Sequence, residues 1–247
     1  MIFDIHVFLD TLFSRVFFLP ALTTLWITLA AMALGIVLGF FGALGALSRW
    51  APLSALVGLY VWIFRGVPAL VQIVFWYDAV AEITDNVINL PALVAGVVAL
   101  GVIEGAYMTE IIRAGLISVD PGQRDAARAL GMTAPMAMRR IIIPQAMRVI
   151  IPPTGNQFIS MLKTTSLLFT IAVPELFARA TAIYSENFKY FEVLCVVSLW
   201  YLLLTTALTA VQQFVERRYG IGPTATGGPH RGVLSRVFGF GLPQPGI

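Results

Sequence analysis

Soft metal ligands are almost missing from this sequence, which has one cysteine, Cys195, and two histidines, His6 and His230. A lone thiol closes no disulfide within the chain, and the two histidines have no ligand partner near them, so no metal site is expected. Charge is scarce as well: Asp, Glu, Lys and Arg make up 12% of the residues against 58% hydrophobic ones. Mean hydropathy is +0.85, outside the range of soluble domains. No Gly-rich turn ending in Gly-Lys-Ser/Thr is present, and the one Lys-Thr pair, Lys163-Thr164, follows Leu162 inside an apolar run. The chain therefore has no phosphate cradle and is not expected to act as an enzyme. The start Met-Ile-Phe-Asp-Ile-His has no basic region and no small-residue cleavage site follows the first apolar run, which predicts no removable signal peptide. Nor is there a basic groove interleaved with aromatics, so a net charge of +3 does not point to nucleic acid.

What the sequence has is apolar length. Runs of about 20 residues or more, enough to cross a bilayer, occupy about 17–47, 53–81, 90–117, 150–177 and 189–215. They predict an all-α, polytopic membrane protein with five transmembrane helices. Residues 1–16 form an N-terminal segment, 17–219 the membrane domain and 220–247 a tail. The Gly/Pro density after Gly220 predicts a flexible tail. The alternative is a short interfacial segment built on Val233, Leu234, Val237, Phe238 and Phe240 beside Arg231 and Arg236.

Residues 119–148 are the one long polar interruption. Asp120 is an N-cap, Pro121 suits a first turn and Gly131 supplies a left-handed stop, so a short helix is predicted over about 121–130. Thr133 and Pro135 repeat the start signal, and a second short helix should run towards Pro144. Ala126, Ala127, Ala129 and Leu130 offer a small, smooth face, and Arg124, Asp125 and Arg128 a charged rim. This is a docking surface for a cytoplasmic partner. With the loop inside, alternation places Arg49, Arg124, Arg128, Arg139, Arg140, Arg148, Arg217 and Arg218 inside and leaves Arg15, Arg179 and Lys189 outside. That satisfies the positive-inside rule, with the N-terminus outside and the C-terminus in the cytoplasm.

Three charges fall within the apolar runs. Arg65, Glu104 and Lys163 each lie about a dozen residues into their spans, where facing lipid would cost about 2.5–3.5 kcal/mol apiece. They must face protein or water. One reading is a polar cavity, with Lys163 or Arg65 for a substrate carboxylate and Glu104 for an ammonium, beside Asn156, Gln157, Thr164 and Ser166. The other is a structural ion pair of Arg65 with Glu104 or Glu110. Glu110 and Arg113, three residues apart, suit pairing with each other. Gly66 and Pro68 predict an unwound stretch beside Arg65.

The loop resembles the cytoplasmic signature of type I ATP-binding-cassette importers, Glu-Ala-Ala, three residues, Gly, nine residues, Ile-x-Leu-Pro. It stands here as Asp125-Ala126-Ala127, Gly131 and Ile141-Ile142-Ile143-Pro144, with Asp125 in place of Glu and Ile143 in place of Leu. Phe64-Arg65-Gly66-Val67-Pro68-Ala69-Leu70-Val71-Gln72 is similar to the polar amino acid uptake permeases of that class, as are residues 106–115 and 156–167. The resemblance implies a bacterial inner-membrane permease subunit that moves polar amino acids by alternating access. Its implied partners are a like permease subunit, a cytoplasmic ATPase dimer that binds the ATP, and an extracytoplasmic solute-binding protein. It also implies that Arg124, Asp125, Ala126, Ala127, Gly131, Ile141 and Pro144 couple to the ATPase, and that Arg65, Gly66, Pro68, Gln72, Glu110 and Arg113 gate or brace. No cofactor is expected in this chain. A permease of the same class for another small solute is the runner-up. A secondary transporter or channel would show internal repeats or a pore signature, and a scaffold would explain the loop without the three charges.

Overall fold

The computed structural model describes residues 4–220, so the readings made for the tail and for His230 lie outside the described residues. Within them there is helix and no strand. Helix α1 (Ile5–Phe13) starts at Asp4, whose side chain accepts the Val7 N–H, and a tight turn over Arg15–Phe17 leads into α2 (Phe18–Ala46). Next come α3 (Ala51–Gly66), α4 (Ala69–Val74) and α5 (Val80–Ile83), the last two joined by a π-helical turn. Helix α6 (Ala92–Ile117) precedes the loop helices α7 (Pro121–Ala129) and α8 (Ala134–Ala137). Helix α9 (Ile143–Thr164) continues through a 3-10 stretch, Thr165–Ile171, and α10 (Leu176–Asn187) and α11 (Tyr190–Arg218) complete the order.

Three helical stretches are long and apolar enough to cross a membrane: Arg15–Ala46, Ala92–Ile117 and Tyr190–Arg218. Two more pass as bent pairs, Ala51–Gly66 with Ala69–Ile83 at 108° and Ala134–Ile171 with Leu176–Asn187 at 50°, and counting each pair once makes five. The first bend is proline chemistry. Pro68 has no N–H to offer the Phe64 carbonyl and pushes Val67 into an extended conformation, φ −89° and ψ 135°. Gln72 repairs the gap: its Nε2 donates to the carbonyls of Phe64 at 3.1 Å and Val67 at 2.8 Å.

The largest helix contact is α2 on α6. Glycines on α2 let the backbones close in: a Cβ on Gly35 would sit 2.7 Å from the Cβ of Glu104, and one on Gly39 would collide with Met108. One apolar cluster gathers Ile27, Met32, Ile73, Leu100 and Leu168. A second, on the loop side, gathers Met108, Ile112, Leu116, Ile142 and Ile150. A third, around Phe17, Leu176, Val193 and Val196, seats α1 through Phe8 and Leu12.

Three local outcomes differ from the sequence reading. Helix α1 lies within the segment 1–16, and α10 occupies what hydropathy leaves as a connection after the fourth run. The second loop helix is not a separate unit running to Pro144. It ends at Ala137 and passes through a π turn over Met138–Ile142 straight into α9. There the Ile143 N–H reaches back to Met138 O. The wider turn shifts the hydrogen-bond register so that Pro144 falls in the first turn of α9, where its missing N–H is tolerated.

Candidate functional site

The loop presents α7 to solvent. Asp120 accepts the Gly122 N–H at 2.6 Å, and the far end is closed by Gly131 at φ +73°. Gly131 N–H donates to Arg128 O at 2.9 Å and Met132 N–H to Ala127 O at 3.0 Å, a paired closure that needs a left-handed residue at that point. Arg124, Asp125, Ala126, Arg128 and Ala129 are exposed, and Leu130 is 79% exposed. Ala127 is corrected here. It is fully buried and belongs to the inner side of the loop, not to the face offered outward, because α7 folds back over α8 and the π turn. Ile141 is half-buried and Pro144 exposed. The Arg128–Asp125 pair, 3.9 Å apart with both side chains largely exposed, contributes little on its own.

At membrane depth the exposed side of α9 is polar. Asn156, Ser160 and Lys163 stand at i, i+4 and i+7, with Thr164 beside them and Gln157 half-buried at the edge. The Thr164 hydroxyl donates to Ser160 O at 3.0 Å and Ser166 to Lys163 O at 2.7 Å. Asn156 Oδ1 accepts from Gln212 of α11 at 3.3 Å. Lys163 is exposed and has no ion pair among the described residues.

The other predicted charges separate. Arg65 is exposed at the end of α3 with its guanidinium 5.2 Å from the Tyr107 ring centre, and it pairs with neither Glu104 nor Glu110. The ion pair of the alternative reading is therefore not formed, and Glu110 takes the partner expected for it, Arg113, which meets it at 2.9 and 3.2 Å through two nitrogens. Glu104 is 3% exposed in the α2–α6 seam, and its Oε1 has no hydrogen-bond partner among the described residues. The neighbouring Tyr60 directs its hydroxyl to Val102 O at 2.6 Å instead. Gln72, buried behind Pro68, holds the broken α3–α4 connection.

Two buried carboxylates escaped the sequence reading, Glu175 and Glu192. Glu175 is fully buried, caps α10 by accepting the Ala178 N–H at 2.6 Å, and receives the Tyr201 hydroxyl at 2.8 Å. Beside it the Leu176 N–H donates to Thr24 of α2 at 3.2 Å. The Pro174-Glu175 start signal before an apolar stretch was the available clue.

Residues 31–221 match the family described as binding-protein-dependent transport system inner membrane component. The chain is 43% identical over 219 residues to the arginine transport system permease protein ArgU of Corynebacterium glutamicum, covering 83% of this chain and 69% of that one. It is 42% identical over 194 residues to the probable amino-acid permease protein YxeN of Bacillus subtilis, covering 78% and 87%. A solved crystal structure of an amino acid ABC transporter with histidines superposes with a TM-score of 0.79 at 38% identity, covering 88% of this chain and 100% of that chain.

Proposed function

The chain belongs to the family of binding-protein-dependent transport system inner membrane components, and from that premise we propose that it is the permease subunit of an ATP-driven importer of polar amino acids. The named substrates of its relatives support the solute class. The observation that carries the reading is the polar exposed side of α9. A lysine held at membrane depth without a counter-charge is too costly to face lipid. Lys163 therefore borders a water-filled path or a second subunit, and its ammonium is suited to a solute carboxylate. Asn156, Gln157, Ser160, Thr164 and Ser166 supply neutral partners along the same route. Glu104 is closed off from solute in this conformation and acts as a gate-side acceptor, with the α-ammonium or a cationic side chain as its counter-charge when the α2–α6 seam shifts. Arg65, resting on Tyr107, and the Glu110–Arg113 pair brace the path on the α3 and α6 sides.

Energy enters through the loop. The chain lies with its N-terminus outside and its loop in the cytoplasm, paired with a like permease subunit and served by a binding protein outside. Two cytoplasmic ATPase subunits hold the ATP and grip α7 at Arg124, Asp125, Ala126 and Leu130. Closure of the ATPases moves α7. Because the π turn makes α8 continuous with α9, that motion reaches the helix carrying Lys163 along one helical stretch, past the interior prolines Pro152 and Pro153. The path opens outward to the loaded binding protein and resets inward after hydrolysis.

The test places a single cysteine at Ser160 in a Cys195→Ala background of the complete transporter in membrane vesicles. A water-soluble thiol reagent should label it, and amino acid with binding protein and ATP should slow that labelling. If position 160 resists the reagent in every nucleotide state, the polar side of α9 is not the path.

A further inference from the structure

A second feature of the membrane domain lies beside the polar side of α9. Between α2, α9 and α11, over a floor of α6, runs an open groove of about 850 Å³ walled by such residues as Phe40, Leu44, Met147, Ile151, Leu208 and Val211. The two polar side chains in its wall are already engaged. Thr154 donates to Ile150 O at 2.8 Å, and Gln212 Nε2 donates to Glu216 at 2.8 Å and to Asn156 at 3.3 Å. The groove therefore asks for an apolar occupant. Along α2 it extends from Leu29 to Leu44, about 22 Å at the helical rise, against about 15 Å for one leaflet of hydrocarbon.

At one end the groove is flanked in the sequence by arginines. It reaches Met138 and Ile143 at the start of α9 and Val215 near the end of α11. Arg139 and Arg140 lie between those first two, and Arg218 follows Val215 by one helical step. All three arginines are exposed and none forms an ion pair among the described residues, while the one nearby carboxylate, Glu216, is held by Gln212. Residues 221–247 contain Arg231 and Arg236 and no Asp or Glu, so they carry the same sign as the rim.

We propose that this groove is a site for an anionic phospholipid of the loop-side leaflet, one acyl chain lying against α2 and α11 and the phosphate against Arg139, Arg140 and Arg218. An apolar slot longer than one leaflet and flanked by unpaired arginines at its loop-side end is what such a lipid recognises. The proposal uses the chain's membrane residence and loop orientation and nothing about its solute.

The complete transporter, purified in mild detergent, is offered an equal mixture of phosphatidylglycerol and phosphatidylcholine and weighed by native mass spectrometry. Phosphatidylglycerol should be retained at one per chain with a preference of about fivefold or more. Combined Arg139→Gln, Arg140→Gln and Arg218→Gln should erase the preference, and Val211→Trp, which fills the groove and leaves the rim intact, should lower retention of both lipids. Equal retention of the two lipids by the unaltered protein would overturn the proposal. So would a preference that survives both the triple variant and Val211→Trp, which provide independent tests if one of them fails to assemble. A Val211→Cys, Cys195→Ala chain that cross-links to a second copy through position 211 in native membranes would seat another subunit in the groove and equally overturn it.

Discussion

Glu175 and Glu104 are buried alike, at 0% and 3% exposure, yet Glu175 receives the Ala178 N–H and the Tyr201 hydroxyl while Glu104 keeps an oxygen with no donor among the described residues. The surroundings of Glu175 join three elements: α10 by its cap, α11 by Tyr201, and α2 by the adjacent Leu176–Thr24 bond. The surroundings of Glu104 are backbone packed on backbone, with Gly35 close against its side chain. A buried charge whose hydrogen bonds are complete is holding the fold together. One left incomplete is available to a partner that arrives from outside the resting structure. Lys163 belongs with Glu104 in this division, although it is exposed, because the described residues supply it no counter-charge.

The strongest way to break that contrast is Glu175→Ala. It strands a buried hydroxyl and an end N–H of α10, a loss of about 3 kcal/mol or more. Thermal unfolding of the purified transporter should shift downward by about 6–12 °C. A shift under about 2 °C would show that the Glu175 contacts are incidental. Gly131→Ala comes next, since it forces a Cβ into the left-handed conformation at φ +73°. It should cost the loop about 1 kcal/mol and weaken ATPase retention during purification while leaving the membrane bundle's midpoint in place. Glu104→Gln should cost less than about 1 kcal/mol in stability, because Glu104 Oε1 makes no hydrogen bond among the described residues, and should nonetheless lower uptake several-fold, cationic amino acids more than neutral ones. Unchanged uptake with a falling unfolding midpoint would make Glu104 a packing residue like Glu175.

The smallest effect lies at the N-terminal end of α11. Asp4 accepts from Val7 N–H and meets Lys189 at 3.2 Å, and these contacts, the backbone bond first, hold its carboxyl below the ordinary value of 3.8. A group whose folded pKa is lowered stabilises above its unfolded pKa and loses that contribution as pH falls through the folded value. Acid below about pH 4 should therefore free α1, read as faster amide exchange over Ile5–Phe13. Acceleration on the alkaline side instead would remove Asp4 as the cause.

The sequence was most legible where a residue acts on its own backbone. Asp120, Pro121 and Gly131 bound α7 as their capping chemistry predicts, and Pro68 breaks the second run. It was less legible where the deciding partner is far along the chain. Gln72 reaching back to Phe64, Tyr201 reaching Glu175, and Asp4 N–H donating to Glu192 at 2.9 Å are contacts that local pattern does not encode. Hydropathy located the three straight spans directly, but it does not register the 108° and 50° bends, which depend on one missing N–H and on the turn through Ala172 at φ +57°. Arg65, Glu104 and Lys163 were found by their cost in lipid, but that cost does not say which of them the bundle would bury. The α2 glycines decided it by letting α2 close in over Glu104 of α6.

The most direct measurement sets Lys163→Met beside Glu175→Gln in one preparation of the complete transporter, recording the unfolding midpoint and binding-protein-dependent amino acid uptake for each. Lys163→Met should cut uptake about tenfold or more, equivalent to losing one charge-assisted contact, with a midpoint within about 2 °C of the unaltered protein. Glu175→Gln should lower the midpoint, and the molecules that stay folded should transport normally. If Lys163→Met destabilises as much as Glu175→Gln, or transports like the unaltered protein, then the unpaired charge on α9 is structural and the solute passes elsewhere.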